Sequence, residues 1–337
     1  MNRSHFITLL LLVLTFNSCR KEKQTDFSNL LVINALFSTD SSFRVSVSKS
    51  ITMVDTSIVS DNYIENAQVT LFENGNLVGS VYHTHFSSYG YLSENSAIPN
   101  YYLPTYVPKK GNEYKVKVEV PGYPDMEATT IIPKPVNVQV TDTFWYREEH
   151  FVWDSVNRTT IPGKSPMLGI NIQFTDPANQ ENFYLLEMDL RLQVEYSDTK
   201  VASTDSNIEF DSNNPIYEIN IHHGTMPFGK AFTDKAISGK TMRLKVEPAW
   251  GSTDTPQLIF PSYGVVVSAR QTFYVKLYSI TEDYYLYLKT LNKYNENRKS
   301  PFYPPIQVHS NIKGGLGIFA GAGISKDSVS YNITKWY

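Results

Sequence analysis

Cysteine is almost missing from this chain: 337 residues contain one, Cys19. A lone thiol excludes an intrachain disulfide framework and a cysteine-built zinc site. Long apolar runs are missing too. The stretch Phe6-Ile-Thr-Leu-Leu-Leu-Leu-Val-Leu-Thr-Phe16 is about half of the ~20 residues a membrane-crossing helix needs. No basic cluster of useful size occurs, and 30 Lys and Arg against 33 Asp and Glu leave a formal charge of −3. Sequence-independent nucleic-acid binding depends on Lys and Arg neutralising phosphates, so that class of partner is not expected. The catalytic signatures are lacking as well: no G-x-S-x-G occurs, and no Gly-Lys-Ser/Thr follows a glycine-rich stretch.

What is present begins at the N-terminus. Arg3 and His5 precede the short apolar run, and Asn17, Ser18 and Cys19 follow it. This is the basic start and short hydrophobic region of a secretory signal peptide, predicted over residues 1–18. A cysteine placed directly behind it resembles a bacterial lipobox, in which the thiol is acylated and opens the mature chain. An ordinary signal peptide with an incidental cysteine is the other reading. Acylation at Cys19 predicts firm anchoring, because each buried methylene contributes about 0.8 kcal/mol and the mature cysteine carries several chains. It also removes the only thiol from any catalytic role. Residues 19–29 then form a polar, lipidated tether.

Beyond residue 30 the pattern is β. The 23 Tyr and 18 Phe suit a pleated, half-buried surface. Strands are predicted over 31–37, 43–48, 67–72 and 114–120, and Asn74-Gly75 marks a tight hairpin. Pro133 and Pro135 interrupt the ladder and mark a boundary, giving an N-terminal β-sandwich at 30–133 and a larger β-rich domain at 134–337. The second domain has strand patterns at 136–140, 168–174, 183–194, 242–246 and 263–268. Residues 197–215, rich in Asp, Asn and Ser, read as a mobile surface loop. One helix is expected near 281–295, with Thr281 as N-cap and Tyr284, Leu288 and Leu291 on its apolar face. The fold class is therefore mainly β, two sandwiches with one helix.

The candidate sites are few. Gly315, Gly317 and Ala320 match dinucleotide-loop spacing, but the helix precedes them and no acid follows about twenty residues on. A structural role is expected for Ser310, Asn311, Ile312, Gly314, Gly315 and Gly317, with Gly314 and Gly315 in a turn and Gly317 allowing close strand packing. His83 and His85 would share a strand face, while His222 and His223 would point apart; neither pair has a third ligand at fixed spacing, so no metal is expected. Ser46-Val-Ser-Lys49 fits S-x-x-K but sits in an alternating strand. Glu148-Glu149 reads as a solvated loop. Tyr101, Tyr102 and Tyr106, close to prolines, are candidate partner contacts; the alternative places them at the edge of the first core. No cofactor and no enzymatic activity are expected.

Taken together, "FTDPANQENFYLL" (174–186), "AFTDKAISGK" (231–240), "SITEDYYLYLKTL" (279–291) and "PFYPPIQVHSNIKGGLGIFAG" (301–321) resemble the C-terminal signature of a Bacteroidota outer-membrane lipoprotein family catalogued as domain of unknown function 4249. "ENAQVTLFENGNLVG" (65–79) is similar to that family's immunoglobulin-like or carboxypeptidase-regulatory-like sandwich. The resemblance covers roughly residues 30–325. It implies an envelope lipoprotein often encoded beside TonB-dependent outer-membrane receptors. With the acylation site and the two β-domains, it leads to the expectation of an accessory subunit that partners such a barrel in nutrient uptake. It also implies a structural role for the glycine block. The alternative function is a non-enzymatic assembly factor for outer-membrane proteins, and a hydrolase is a distant third. The residues after Cys19, Arg20-Lys21-Glu22-Lys23, are mostly basic, whereas surface-exported relatives tend to be acidic there; the cell surface is nevertheless favoured over the periplasmic face. Asp154-Ser-Val156 and Asp327-Ser-Val329 fit a short O-glycosylation pattern.

Overall fold

The computed structural model describes residues 30–50, 62–83, 101–154, 158–196, 200–205, 209–210, 219–223, 226–247, 266–297, 304 and 306–333. Cys19, its tether and His85 lie outside the described residues. The N-terminal strands are β1 (Leu31–Ser38), β2 (Phe43–Lys49), β3 (Gln68–Glu73), β4 (Asn76–His83), β5 (Tyr101–Leu103), β6 (Glu113–Glu119) and β7 (Met126–Ile131). After the prolines come β8 (Val138–Asp154), β9 (Thr159–Thr175), β10 (Phe183–Tyr196), β11 (Lys200–Asp205), β12 (Glu209–Phe210), β13 (Ile219–His223), β14 (Met226–Thr233), β15 (Thr241–Glu247) and β16 (Val266–Ile280). A single described helix, α1 (Glu282–Asn297), precedes the last strand, β17 (Leu316–Ile333). The molecule is mainly β with sandwich architecture.

Local sequence explains much of the N-terminal unit. On β1 the residues Leu31, Ile33, Ala35 and Phe37 are buried while those between them are not, the period of two of a half-buried strand. Asn74 and Gly75 both adopt positive φ, 49° and 78°, which the tight turn between β3 and β4 requires. The strands follow the path β17-β1-β2-β5-β4-β3-β6-β7. That path curls on itself: Glu127 of β7 bridges to Lys313, just before β17, by reciprocal backbone bonds of 3.1 and 2.9 Å. Inside lie Phe37, Phe43, Tyr114 and Phe319, with ring centroids 5.1–6.3 Å apart across the cluster. Each such pair contributes about 0.5–1.5 kcal/mol beyond burial.

The C-terminal unit is a two-layer sandwich. Strands β12-β15-β9-β8 form one sheet, and β13-β14-β10-β16-β17 belong to the other. Leu168, Ile170, Ile172 and Phe174 of β9 pack with Tyr184, Leu186, Met188, Phe273, Val275 and Leu277 of the facing sheet. The opposite face of the larger sheet is covered by α1, through Phe183, Leu185, Ile280, Tyr285, Leu288 and Ala322. Thr281 does cap the helix, accepting from the backbone N–H of Tyr284 at 3.3 Å. Its most buried tyrosine is Tyr285, one position beyond the expected Tyr284, because the phase of the helix is set by the Phe183–Tyr285 ring contact at 5.3 Å.

β17 joins the two units. Its first half pairs in parallel with β1, from Val32↔Leu316 to Ser38↔Ala322. Its second half pairs antiparallel with β16, from Ile280↔Ala322 to Ala269↔Ile333. The C-terminal strand therefore completes the N-terminal core, where Ile312 and Phe319 sit, across the proline boundary at 133–135. Three expectations are corrected. Residues 200–205 are strand, paired with β10, within the segment read as a loop. Glu148 and Glu149 lie in β8, not in a loop. The strand expected at 263–268 is described from Val266 and runs on to Ile280, its register held by β10 and β17 on both sides, while 263–265 lie outside the described residues.

Candidate functional site

The glycine block proves to be a fitting between backbones. Gly314 has φ 79°, and a Cβ there would run into the carbonyl oxygen of Asp125. At Gly315 a Cβ would lie 2.5 Å from Met126 Sδ and 2.9 Å from Leu31 O. Gly317 has φ 109°, and any side chain would collide with Ile33 O on the paired strand β1. Further along, the space at Gly321 is taken by Ile132 and that at Gly323 by Pro133 and Pro135, so the proline boundary is seated on β17. The polar residues before the glycines hold the same junction. Asn311 Nδ2 donates to Phe319 O and Asn311 Oδ1 accepts from Phe319 N, both at 2.9 Å. Ser310 Oγ accepts from Ile312 N at 3.3 Å, and His309 lies 2.8 Å from Asp283 on the first turn of α1. Every residue singled out in this motif is committed to the scaffold.

A second network lies within the other signature segments. Asp176 and Asp234 are buried. Asp176 accepts from Tyr184 Oη at 2.5 Å and from Gly239 N at 2.9 Å. Asp234 Oδ2 accepts from the backbone and side-chain nitrogens of Asn182 at 2.9 and 3.1 Å. Burial, with the Asp176 carboxylate beside it, pushes the Tyr184 hydroxyl well above its ordinary value. Two acids held this way tie the loops at 176–182 and 234–240 together. They carried no spacing signal in the sequence, since 58 positions separate them. No cluster of three or more metal-ligating side chains occurs among the described residues.

The candidate tyrosines divide. Tyr101 is a correction: it is 1 % exposed, and its hydroxyl accepts from Ala67 N at 2.7 Å and donates to Ile64 O at 3.0 Å. It pins a connection to the core and offers no contact surface. Tyr106 is half-buried and is spent inward as well. Its hydroxyl lies 3.3 Å from that of Tyr114, which donates to Glu73 at 2.7 Å. Tyr102 stays partly exposed at the surface. Arg44, Tyr102 and Tyr82 are successive cross-strand partners on β2, β5 and β4, so the three share one face. The Arg44 guanidinium lies 5.1 Å from the Tyr102 ring centre, and Tyr82 is 66 % exposed. This row is the amphipathic, low-entropy kind of surface that contact sites favour. Tyr82 was not singled out in the sequence; its alternation on β4 was the available signal.

The other weak motifs resolve as framework. Ser46 is buried in β2 and donates to Asn34 O at 3.4 Å. His83 packs edge-on against Tyr101 at 5.4 Å. An open groove of about 450 Å³ is lined by Asp189, Tyr274, Lys276, Lys326, Asp327 and Ser328. Two of its lysines are paired: Lys276 with Asp189 at 2.7 Å, and Lys326 with Asp40. No described helix is long and apolar enough to cross a membrane.

Comparison with known proteins yields a family and little else. A family model described as "Domain of unknown function (DUF4249)" matches residues 21–328. No curated protein matches. A match among solved structures is a mutant of the major pilin from Streptococcus pyogenes, 10% identical, covering 89% of this chain and 97% of that one. Its TM-score of 0.09 carries no argument about the fold.

Proposed function

The chain belongs to the family described as Domain of unknown function (DUF4249), and on that premise we propose a lipid-anchored, non-enzymatic binding subunit of the outer membrane. Its partner is an outer-membrane barrel of the TonB-dependent kind, which it assists in nutrient uptake. Cys19 carries the anchor, residues 20–29 the tether, and the two joined sandwiches hold a recognition surface at a distance from the lipid. The cell surface is the favoured side.

The observation that most supports this reading is the division of labour among the tyrosines and signature motifs. Asn311, the glycines, Asp176, Asp234 and Tyr101 all hold scaffold, while Arg44, Tyr102 and Tyr82 share one outward-facing row. A frame so heavily fixed suits a surface that must meet a partner in one orientation.

The test is purification of the full-length acylated chain from native membranes in mild detergent. A barrel recovered in comparable amount is the expected result, and repeated recovery without any barrel overturns the proposal. Deletion separates it from the assembly-factor alternative: loss of growth on one nutrient supports it, and general loss of barrel proteins contradicts it.

A further inference from the structure

β8 and β9 outrun the sandwich. Strand β15 pairs with β9 only over residues 170–175, yet β8 and β9 remain paired from there to Asp154↔Thr159. Beyond Trp145 the two strands form a ribbon to which no other described strand is paired. A two-stranded ribbon alone is marginal in water, so a third strand is expected somewhere.

The prolines of β9 say which edge is open. Pro162 pairs with Phe151 and Pro166 with Arg147. Proline has no N–H, so within a ladder it belongs where the backbone nitrogen faces away from the paired strand. Pro162 and Pro166 therefore lie on the outer edge of β9 and block it. Their partners in an antiparallel pair share that outward sense. Arg147, Glu149, Phe151 and Trp153 thus turn their main-chain groups to the outer edge of β8. The inner part of β8 and the residues leading into it agree. Val136 N, Val138 N and Val140 N point outward and are met by Ser279, Ser325 and Asp327 side chains at 3.1, 3.0 and 2.7 Å. A register shift between Val140 and Asp142 then moves the outward set from even to odd positions. From Arg147 onward no described strand is paired with this edge of β8.

The ribbon also lies far from the start of β1. β1, which follows the tether, pairs with the first residues of β17, whereas Trp145 meets Tyr331 near its end, ring centres 5.6 Å apart. At about 3.3 Å per residue, the tip stands on the order of 60–80 Å from Leu31. That distance favours a protein partner over the anchoring membrane.

We propose that the outer edge of β8 from Arg147 to Trp153 receives an extended strand of the partner protein, main chain to main chain, with β9 blocked by its prolines. The identity of that partner as a barrel rests on the proposed function; the edge does not.

The experiment places a photo-crosslinking residue at Glu149, at its register partner Lys164, and at Tyr102, each in the full chain in intact cells. An adduct with an outer-membrane barrel from position 149 and none from 164 is expected. No adduct from 149, or one from 164 instead, overturns the edge assignment. Adducts from 149 to a protein other than a barrel uphold the edge and sink the barrel partner. Barrel adducts from Tyr102 alone do the reverse. Amide exchange of the purified chain supplies an independent readout: Arg147, Glu149, Phe151 and Trp153 are expected to exchange about tenfold faster, or more, than Glu148, His150 and Val152. Slow exchange at all seven means that the chain already covers its own edge, and the proposal fails.

Discussion

Asn311 holds Phe319 by both of its backbone groups, with two bonds of 2.9 Å from one side-chain amide. The amide acts as a one-residue strand beside β17, at the point where that strand enters the N-terminal core. Phe319 is fully buried, so its N–H and C=O have no water to turn to. Asn311→Ala is expected to cost about 1–3 kcal/mol for each group left unsatisfied. Asn311→Asp keeps the acceptor but sets a carboxylate oxygen against Phe319 O and beside Asp283, and is expected to cost at least as much. Denaturant melts of the three proteins check the order.

Gly317→Ala is expected to prevent stable docking of β17 on β1. The residue has φ 109° and its Cβ would overlap Ile33 O, which is backbone and cannot move aside. Gly75→Ala is the control: φ is 78°, but nothing lies within 4 Å of the added methyl. The control is expected to lose about 1–2 kcal/mol, the strain of the left-handed conformation. A Gly317→Ala protein that melts like wild type contradicts the structural reading of the glycine block.

Asp327 satisfies Val140 N across the sandwich at 2.7 Å. Asp327→Ala is expected to destabilise by about 1–3 kcal/mol and to expose the Val140 amide to exchange. Asp327→Asn keeps an acceptor and is expected to stay close to wild type. Thermal melts with amide exchange at Val140 decide between them.

Two glutamates are expected to respond to pH with opposite signs. For Glu73, burial works against the charged form. Hydrogen bonds from Tyr114, Asn112 and Tyr106, with Lys109 nearby, outweigh it and hold the carboxyl below its ordinary value. Its contribution is present above the unfolded-state pKa and is lost as pH falls through the folded one. For Glu187, burial raises the pKa despite the Tyr278 hydroxyl donating at 2.8 Å. That contribution is full below the unfolded-state value and is lost as pH rises through the folded one. Glu73→Gln should therefore flatten the acid limb of the stability curve, and Glu187→Gln should raise stability on the neutral side. Urea midpoints from about pH 3 to 8 measure both.

Much of the framework was legible because it is local. Alternation on β1, β2 and β6, the Asn74-Gly75 turn and the Thr281 cap each declare themselves within a few residues. The glycine block was readable as scaffold through what it lacked, a following helix and an acid. What it packs against was not. The parallel pairing of β1 with β17 joins residues nearly 300 positions apart, and no local pattern encodes such a partner. Tyr101 misled for a related reason: tyrosine suits both an interface and a buried corner, and only Ile64 O and Ala67 N decide which. Tyr82 and Tyr102 became a site only when register placed them side by side.

The central claim is that a lipid at Cys19 makes these joined sandwiches part of the envelope. The direct measurement is the mass of the mature N-terminal peptide from isolated membranes. The account predicts a chain that begins at Cys19 and carries acyl groups on it. A free thiol at that position, in a protein that washes from membranes with buffer, contradicts the account.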